Sequence, residues 1–286
     1  MKVGFIGLGV MGEPMARHIL NAGHELLVTD NRKESCEALV AEGAQYVAST
    51  SEIAGQSEAV ILCVPYPGPQ EHVMNQVLAG AESGLLIIDT TVMPPKINEA
   101  LEKTCKSRGL EYIDAPVGGG GWGANAGSLG VMVGGEEASF QRALPILEPF
   151  AAKVRLLGPI GYGNKFKLMT ECIFLAYMSA FSEGLAVGEE MGFSVETMLD
   201  MFENTSPWHS HMAHKYDEIK GESFRRGFLI HRARMFLEIT KEAVENPIYG
   251  TPIFDTMTSN FKHAEALGLG DEDLIVSRRE YLKLAH

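Results

Sequence analysis

Gly7-Leu8-Gly9-Val10-Met11-Gly12 lies between an apolar run at residues 3–6 and a segment whose apolar side chains recur with helical spacing. A second apolar run, residues 25–29, ends at Asp30, eighteen positions after Gly12. This order of strand, G-x-G-x-x-G turn, helix, strand and acidic residue predicts a dinucleotide-binding turn. In such a turn the glycines permit a tight bend and close backbone approach, and the helix N-terminus receives the phosphates.

Asp30 is expected to accept hydrogen bonds from adenosine ribose hydroxyls, and its charge would repel a 2′-phosphate. The sequence therefore predicts NAD as the cofactor, although Arg32 and Lys33 could also capture the 2′-phosphate of NADP. Two later strand ends complete the predicted cofactor site. Its residues are Gly7, Leu8, Gly9, Val10, Met11, Gly12, Asp30, Asn31, Arg32, Val64, Pro65 and Thr91.

The chain has 286 residues, 45% of them apolar, which is enough for two ordinary globular domains. The net charge of −13 argues against nucleic acid or an anionic membrane as a partner. The four cysteines form no C-x-x-C motif, so we expect reduced thiols and a cytoplasmic protein. Met1-Lys2 leads directly into the first apolar run, so we expect no signal peptide. The longest uncharged part of the later long helix, residues 172–182, is too short for a bilayer span.

The first half of the chain alternates strand and helix patterns, which predicts a mostly parallel, doubly wound sheet of the Rossmann type. The strand ends near residues 65–69, 89–91 and 114–116 should therefore border one crevice. Strands are predicted at residues 59–64, 85–88, 112–113 and 131–133, and helices near 33–42, 70–78, 96–108 and 138–150.

From residue 164 the pattern becomes helical for about thirty residues, with apolar groups on most sides. Such a helix must be buried by its own domain, by a partner subunit, or by both. We predict a dinucleotide-binding domain over residues 1–162 and an all-helical domain for substrate binding and dimerisation over residues 163–286. The assembly is expected to be a homodimer or homotetramer.

Three further stretches carry candidate chemistry. The glycine-rich segment 114–129 predicts a carboxylate-binding loop, with a flexible linker as the alternative. Lys167 and Glu171 lie one turn apart on a buried helix, so at least one of the two charges needs a partner. The histidines at 209, 211 and 214 suggest a metal site only weakly, because no carboxylate or cysteine ligands are evident nearby; an active-site wall or a solvated turn fits them better.

Three motifs in order, Gly7-Leu8-Gly9-x-Met11-Gly12-x-x-Met15, Asp114-Ala115-Pro116-Val117 with its glycines, and Gly161-x-Gly163-x-x-x-Lys167, resemble the β-hydroxyacid dehydrogenase family. That family includes 3-hydroxyisobutyrate dehydrogenase and tartronate semialdehyde reductase. The resemblance continues to Gly268-x-Gly270-Asp271-x-Asp273. It implies a Rossmann domain, a helical domain of the 6-phosphogluconate dehydrogenase type built on one long helix, and NAD- or NADP-dependent interconversion of a 3-hydroxy acid and a semialdehyde. It also implies that Lys167 is the acid/base and that the glycine loop holds a substrate carboxylate.

The chain departs from the family pattern where substrate is expected. Gly118 replaces a serine, Thr170 and Glu171 replace two asparagines, Met235-Phe236 replaces a lysine–aspartate pair, and Thr91-Val92 replaces a serine–threonine pair. We interpret these changes as a changed substrate with hydride transfer retained. The candidate catalytic residues are Lys167 and Glu171. The candidate substrate-binding residues are Gly118, Gly119, Gly120, Trp122, Lys167, Thr170, Glu171, Trp208 and His231.

Two alternatives stay open at this point. One is a relative that reduces C=N bonds, such as an imine reductase, although Lys167 and the Asp114-Ala115-Pro116-Val117 segment count against it. The other is a non-catalytic dinucleotide-binding protein that senses redox state.

Overall fold

The computed structural model describes residues 1–207, 209, 215, 219, 228–244 and 249–275. The chain divides into two units, Met1–Lys167 and a second unit that begins at Leu168. The predicted boundary lies five residues earlier, and the first turn of the long helix therefore belongs to the first unit.

One nine-stranded sheet organises the first unit. Its path is β3-β2-β1-β4-β5-β6-β8-β7, and β9 pairs with β8. The strands from β3 to β6 along this path are parallel, β8 is antiparallel to both β6 and β7, and β9 is parallel to β8. The strands are β1 Lys2–Ile6, β2 Glu25–Thr29, β3 Gln45–Tyr46, β4 Ala59–Leu62, β5 Leu86–Asp89, β6 Glu111–Asp114, β7 Val117–Gly118, β8 Leu129–Gly134 and β9 Ala151–Gly158.

Helices connect these strands and cover both faces of the sheet. They are α1 Gly12–Asn21, α2 Glu37–Ala41, α3 Thr50–Gln56, α4 Pro69–Gly80, α5 Pro95–Ser107, α6 Gly120–Asn125 and α7 Glu137–Leu147. Two 3₁₀ turns, Lys33–Cys36 and Glu148–Phe150, flank α2 and α7. Pro149 has no N–H group to continue the hydrogen bonding of α7, so the helix predicted to reach residue 150 ends at Leu147.

Alternate residues of each strand enter different cores. In β4, Ile61 packs with Met15 and Ile19 of α1, whereas its neighbours pack with Ile53 of α3 and Met74 of α4. This two-residue period explains why the central strands are apolar throughout: both of their faces are covered. The carboxyl ends of β4, β5 and β6 lie side by side, since Leu62 pairs with Asp89 and Asp89 with Asp114.

The described part of the second unit is built from helices and one isolated bridge, Leu229 to Asp273. The long helix α8, Tyr162–Glu190, begins in the first unit and continues through the second. Helices α9 Val195–Phe202, α10 Ile230–Ala243 and α11 Pro252–Ala266 follow it. Their shared core includes Leu175, Leu185, Leu199, Leu237 and Phe261. Across the described residues, no helix combines the length and the apolar character needed to cross a membrane.

The predicted fold class, a mostly parallel Rossmann domain followed by a helical domain on one long helix, is confirmed. Along α8 the chain itself covers one side: Leu168, Cys172 and Leu175 are buried, whereas Phe166, Met169 and Ile173 are 42%, 41% and 62% exposed.

Candidate functional site

The turn after β1 is shaped by close backbone contacts. Gly7 has a φ of +97°, and a Cβ there would lie 2.4 Å from the Cys63 carbonyl oxygen. A Cβ on Gly12 would lie 1.9 Å from the Gly7 carbonyl oxygen. These two glycines are therefore required by the packing of the protein itself.

Gly9 differs from its two neighbours in the motif. Its φ lies outside the left-handed range, and a Cβ there would meet no atom within 4 Å. Neither backbone strain nor packing calls for glycine at this position. Helix α1 also begins without a side-chain cap, so no side chain neutralises the positive end of its dipole, which can attract an anion. Open space beside an uncapped helix start fits the diphosphate of a dinucleotide.

Asp30 lies directly beside this turn. One carboxylate oxygen accepts a hydrogen bond from Leu8 N at 2.7 Å, and the other accepts one from Arg32 N at 2.9 Å. The Arg32 guanidinium lies 3.9 Å from the same carboxylate, and its side chain is 70% exposed. Because each carboxylate oxygen can accept a second bond, Asp30 can still hold two ribose hydroxyls. Asn31 is exposed at the same strand end.

The ends of β4 and β5 contribute the later predicted cofactor residues. Val64 is half-buried and Pro65 is exposed just beyond β4. Thr91 is buried beyond β5, and its hydroxyl donates to the Val64 carbonyl oxygen at 3.2 Å. The structure thus brings Val64 and Thr91 together at the edge of the sheet.

The glycine-rich segment contains the two-residue strand β7 and the short helix α6, so it is not a flexible linker. Gly118 ends β7, while Gly119 and Gly120 adopt φ values of +124° and +62° at the start of α6. A Cβ on Gly121 would lie 2.8 Å from the Val10 side chain, which places this segment against the dinucleotide turn. Trp122 follows with a mostly exposed side chain.

Asp114 ends β6 and is engaged with the start of α8. Its two carboxylate oxygens accept hydrogen bonds from Gly161 N and Asn164 N, both at 2.7 Å. Burial raises the pKa of this carboxyl from 3.8 to about 7, with nearby Asp89 adding to the rise and the bonds from Asn164 and Gly161 opposing it. A Cβ on Gly163 would lie 2.3 Å from the Met132 carbonyl oxygen, so close packing on β8 requires this glycine.

Lys167 and Glu171 follow on α8, and each is only 8% exposed. Residues four apart share a helix face, so both point to the same side of α8. Thr170 between them is half-buried. All three side chains are engaged in interactions within the structure. Lys165 is exposed, and its amine lies 4.7 Å from the ring centre of Tyr162.

In the second unit, His231 is the second residue of α10, and its Nδ1 lies 2.9 Å from the Gly270 carbonyl oxygen and 3.2 Å from the Asp271 carboxylate. An open cavity of about 430 Å³ is lined there by His231, Glu265, Gly268, Gly270 and Asp271. Trp208 and the histidines at 211 and 214 lie outside the described residues. His209 packs 5.2 Å from the ring of Tyr177. No group of three or more His, Cys, Asp or Glu side chains suited to a metal ion occurs among the residues that the structure describes.

Sequence reasoning missed the structural part played by Asp114 and Asn164. It grouped Asp114 with the glycine loop, whereas the carboxylate binds the start of α8. The available signal was the asparagine directly after Gly161-x-Gly163, a polar residue at the start of a strongly apolar helix.

Comparisons with known proteins cover both units. Residues 2–158 match the family model for the NAD binding domain of 6-phosphogluconate dehydrogenase. Residues 161–277 match the family model described as NAD-binding of NADP-dependent 3-hydroxyisobutyrate dehydrogenase. The chain is 32% identical over 278 residues to 2-(hydroxymethyl)glutarate dehydrogenase of Eubacterium barkeri, covering 96% of this chain and 92% of that protein.

Solved structures with the same fold include two proteins named 3-hydroxyisobutyrate dehydrogenase. The Mycobacterium tuberculosis protein, solved with L-serine, has a TM-score of 0.81 and 25% identity, with 97% of this chain and 98% of that chain covered. The Salmonella typhimurium protein has a TM-score of 0.88 and 24% identity, with 98% and 99% covered.

Proposed function

The chain belongs to the β-hydroxyacid dehydrogenase family and is an NAD(P)-dependent oxidoreductase. On that premise we propose that it transfers a hydride between nicotinamide and a 3-hydroxy acid or the corresponding semialdehyde, with an altered substrate range. The observation that carries this proposal is the start of α1: open space at Gly9, an uncapped helix start and the Asp30 carboxylate lie together.

In this proposal the first unit's own residues bind the cofactor. Backbone N–H groups of the dinucleotide turn hold the diphosphate, and Asp30 holds the adenosine ribose. Asn31 and Arg32 lie beside that ribose, while Val64, Pro65 and Thr91 border the other end. Leu8, Val10 and Met11 supply the remaining wall of the turn. A bound nicotinamide gives or takes the hydride.

Lys167 is the proposed acid/base. In the reductive direction its ammonium donates a proton to the carbonyl oxygen as the hydride reaches carbon, and in the oxidative direction its amine removes the hydroxyl proton. Burial of Lys167 limits access of water to this proton transfer. Gly118, Gly119 and Gly120 are proposed to hold the substrate carboxylate, with Trp122 beside them. Thr170, Trp208 and His231 remain proposed substrate contacts on the strength of the family resemblance.

Glu171 is the proposed determinant of the altered range. A glutamate one turn beyond Lys167 adds negative charge where the family pattern has a neutral asparagine. That charge disfavours a nearby carboxylate and favours a cationic or polyhydroxyl group, so a short acid such as 3-hydroxyisobutyrate is not the expected substrate. The alternative is that Glu171 forms a structural salt bridge.

NAD is the proposed cofactor, because the Asp30 carboxylate repels a 2′-phosphate. The exposed Arg32 is the competing feature. Values of kcat/KM for NADH and NADPH should favour NADH, and a clear preference for NADPH would contradict the assignment.

A homodimer or homotetramer in the cytoplasm is the proposed working form. Its support is the exposed apolar side of α8, formed by Phe166, Met169 and Ile173. Obligate interfaces bury about 2,000 Å² or more, so the assembly should persist at micromolar concentration. Light scattering that gives the mass of a single chain would overturn it.

A substrate panel tests the proposed function. The purified protein would be assayed at the NAD(P)H absorbance band with 3-hydroxyisobutyrate, 2-(hydroxymethyl)glutarate and 3-hydroxypropionate in the oxidative direction. The reductive assays would use short aldehydes and cyclic imines. Turnover of a hydroxy acid or aldehyde supports the proposal. Turnover confined to imines would favour the C=N-reducing alternative, and NADH binding without any turnover would favour the redox sensor.

A further inference from the structure

A continuous chain of buried polar side chains lies beneath the strand ends of the first unit, and the proposed chemistry does not use it. Gln70 Nε2 and the Tyr112 hydroxyl both donate to Asp89, at 2.8 and 3.2 Å. From Tyr112 the chain continues through Asn98, whose Nδ2 donates to the Tyr112 hydroxyl at 3.0 Å. It then reaches Asn164, whose Nδ2 donates to Asn98 Oδ1 at 3.1 Å. These side chains join two neighbouring strands, β5 and β6, to three helices, α4, α5 and α8.

Asn164 is the point at which this chain joins α8. Its side chain is fully buried. Its Oδ1 accepts a hydrogen bond from Met93 N at 3.0 Å, and its Nδ2 also reaches the Thr91 carbonyl oxygen at 3.3 Å. Its backbone N donates to Asp114. A single amide therefore fixes the first turn of α8 to the segment after β5, while the Asp114 carboxylate fixes it to the end of β6.

Lys167 lies three residues after Asn164, which is about 4.5 Å along the helix axis and on a neighbouring part of the same face. Any shift or rotation of the first turn therefore moves the lysine amine directly. We infer that Asn164 is a positioning residue for Lys167, holding the acid/base amine in register with the strand ends that border the cofactor. This inference rests on the proposed function of Lys167.

The chemistry of the site explains why an amide is needed. An alanine would leave Met93 N–H and Asn98 Oδ1 without their partner in a buried environment, where each loss costs about 1–3 kcal/mol. Only a side chain with both a donor and an acceptor serves these two groups at once. A reacting group misplaced by about 1 Å can lose roughly 10²-fold in rate.

The experiment compares three variants of the whole 286-residue chain. Asn164→Ala removes the amide that anchors the first turn of α8. Asn98→Ala removes the amide to which Asn164 Nδ2 donates. The matched control is Ser139→Ala, which removes a different, partly buried hydrogen bond of the first unit, from Ser139 Oγ to Glu111 at 2.7 Å. Thermal unfolding shows the stability lost by each variant, and NADH affinity is measured by its fluorescence.

The decisive measurement needs no substrate. Lysines are labelled with a trace of acetic anhydride and quantified by mass spectrometry, and the exposed Lys165 on the same turn serves as the internal reference. Asn164→Ala should raise labelling of Lys167 by about fivefold or more, and Asn98→Ala by a smaller factor. Ser139→Ala should leave it unchanged. The kcat of Asn164→Ala on the best panel substrate should fall by roughly 10- to 100-fold, with the NADH dissociation constant within about threefold of wild type.

Two results would overturn the inference. One is unchanged Lys167 labelling and unchanged kcat in an Asn164→Ala protein that has merely lost stability, as Ser139→Ala has. The other, if Asn164→Ala does not fold, is an Asn98→Ala protein with wild-type labelling and kcat. Failure of the proposed acid/base role of Lys167 gives a different result. Lys167→Ala would then keep full activity, whatever the labelling of Lys167 shows.

Discussion

The starts of α1 and α8 both lie at a G-x-G sequence, but the two helix starts differ in whether a carboxylate of the protein is bonded there. Helix α1 begins without a side-chain cap, and the position of Gly9 opens onto empty space. At the start of α8, the N–H groups of Gly161 and Asn164 are already bonded to the buried Asp114 carboxylate. The α1 start has no side-chain cap, and the α8 start is bonded to a carboxylate of the protein itself.

The difference shows how one local pattern serves binding in one place and anchoring in another. An open start can accept a diphosphate because no side chain caps it. A filled start cannot bind a second anion, but it fixes the helix, and a fixed helix is suited to hold a reacting group, the role proposed for Lys167. The glycines reflect the same division: Gly12 and Gly163 are forced by backbone packing, whereas Gly9 is not.

The largest expected effect tests whether α8, the helix with the filled start, carries the acid/base Lys167. Lys167→Ala should lower kcat by roughly 10²–10⁴-fold, the usual scale for losing a general acid/base. Steady-state kinetics on the best panel substrate measure it. Lys165→Ala is the control, since Lys165 is exposed on the same turn, and its kcat should stay within about twofold of wild type. Equal activity of both variants would remove Lys167 from the mechanism.

Titration of the Asp114 carboxyl, which is bonded at the start of α8, should change the free energy of unfolding with pH. The pKa of Asp114 is about 7 in the folded state, against an ordinary value of 3.8. Between these values the folded protein holds a proton that the unfolded chain has lost, so this group's contribution to stability decreases as pH rises from about 4 to 7 and is constant above. Urea unfolding across this range measures the free energy of unfolding.

The Asp114→Asn variant has a neutral amide in place of the titrating carboxyl. The stability of wild type relative to Asp114→Asn should therefore fall by up to about 4 kcal/mol from pH 4 to pH 7. Asp200→Asn, at an exposed position on α9, controls for the general effect of charge. Parallel stability curves for wild type and Asp114→Asn would show that the carboxyl titrates alike in the folded and unfolded chain.

A pair of glycine substitutions tests the open start. Gly12→Ala places a methyl group 1.9 Å from the Gly7 carbonyl oxygen and should cost about 3 kcal/mol of unfolding free energy. Gly9→Ala meets no protein atom, so its stability should change by less than about 0.5 kcal/mol. Its NADH dissociation constant should nevertheless rise about tenfold, because the methyl group occupies space proposed for the diphosphate. Unchanged NADH binding in Gly9→Ala would show that the diphosphate does not bind beside Gly9.

The contrast between the two helix starts also marks what the sequence could predict. The dinucleotide turn and Asp30 lie within one short segment, and strand, turn and helix each leave a local pattern. The hydrogen bond from Asn164 N to the Asp114 carboxylate joins positions fifty residues apart, so no local period reveals it. Strand β9 was also missed, because Lys153 and Arg155 interrupt its apolar pattern at the edge of the sheet.

The smallest expected effect concerns the next turn of the anchored helix. If α8 is held in place by its filled start, Glu171 presents its charge at a fixed position relative to Lys167. Glu171→Asn should then raise kcat/KM for 3-hydroxyisobutyrate by several-fold, because a neutral amide no longer repels the substrate carboxylate. Glu171→Gln is the matched variant, which keeps the length of the side chain and removes only the charge. Improvement in both variants identifies charge as the cause, and improvement in the asparagine variant alone identifies side-chain length. Rapid turnover of 3-hydroxyisobutyrate by the wild type, unchanged in both variants, would instead assign Glu171 to a structural salt bridge.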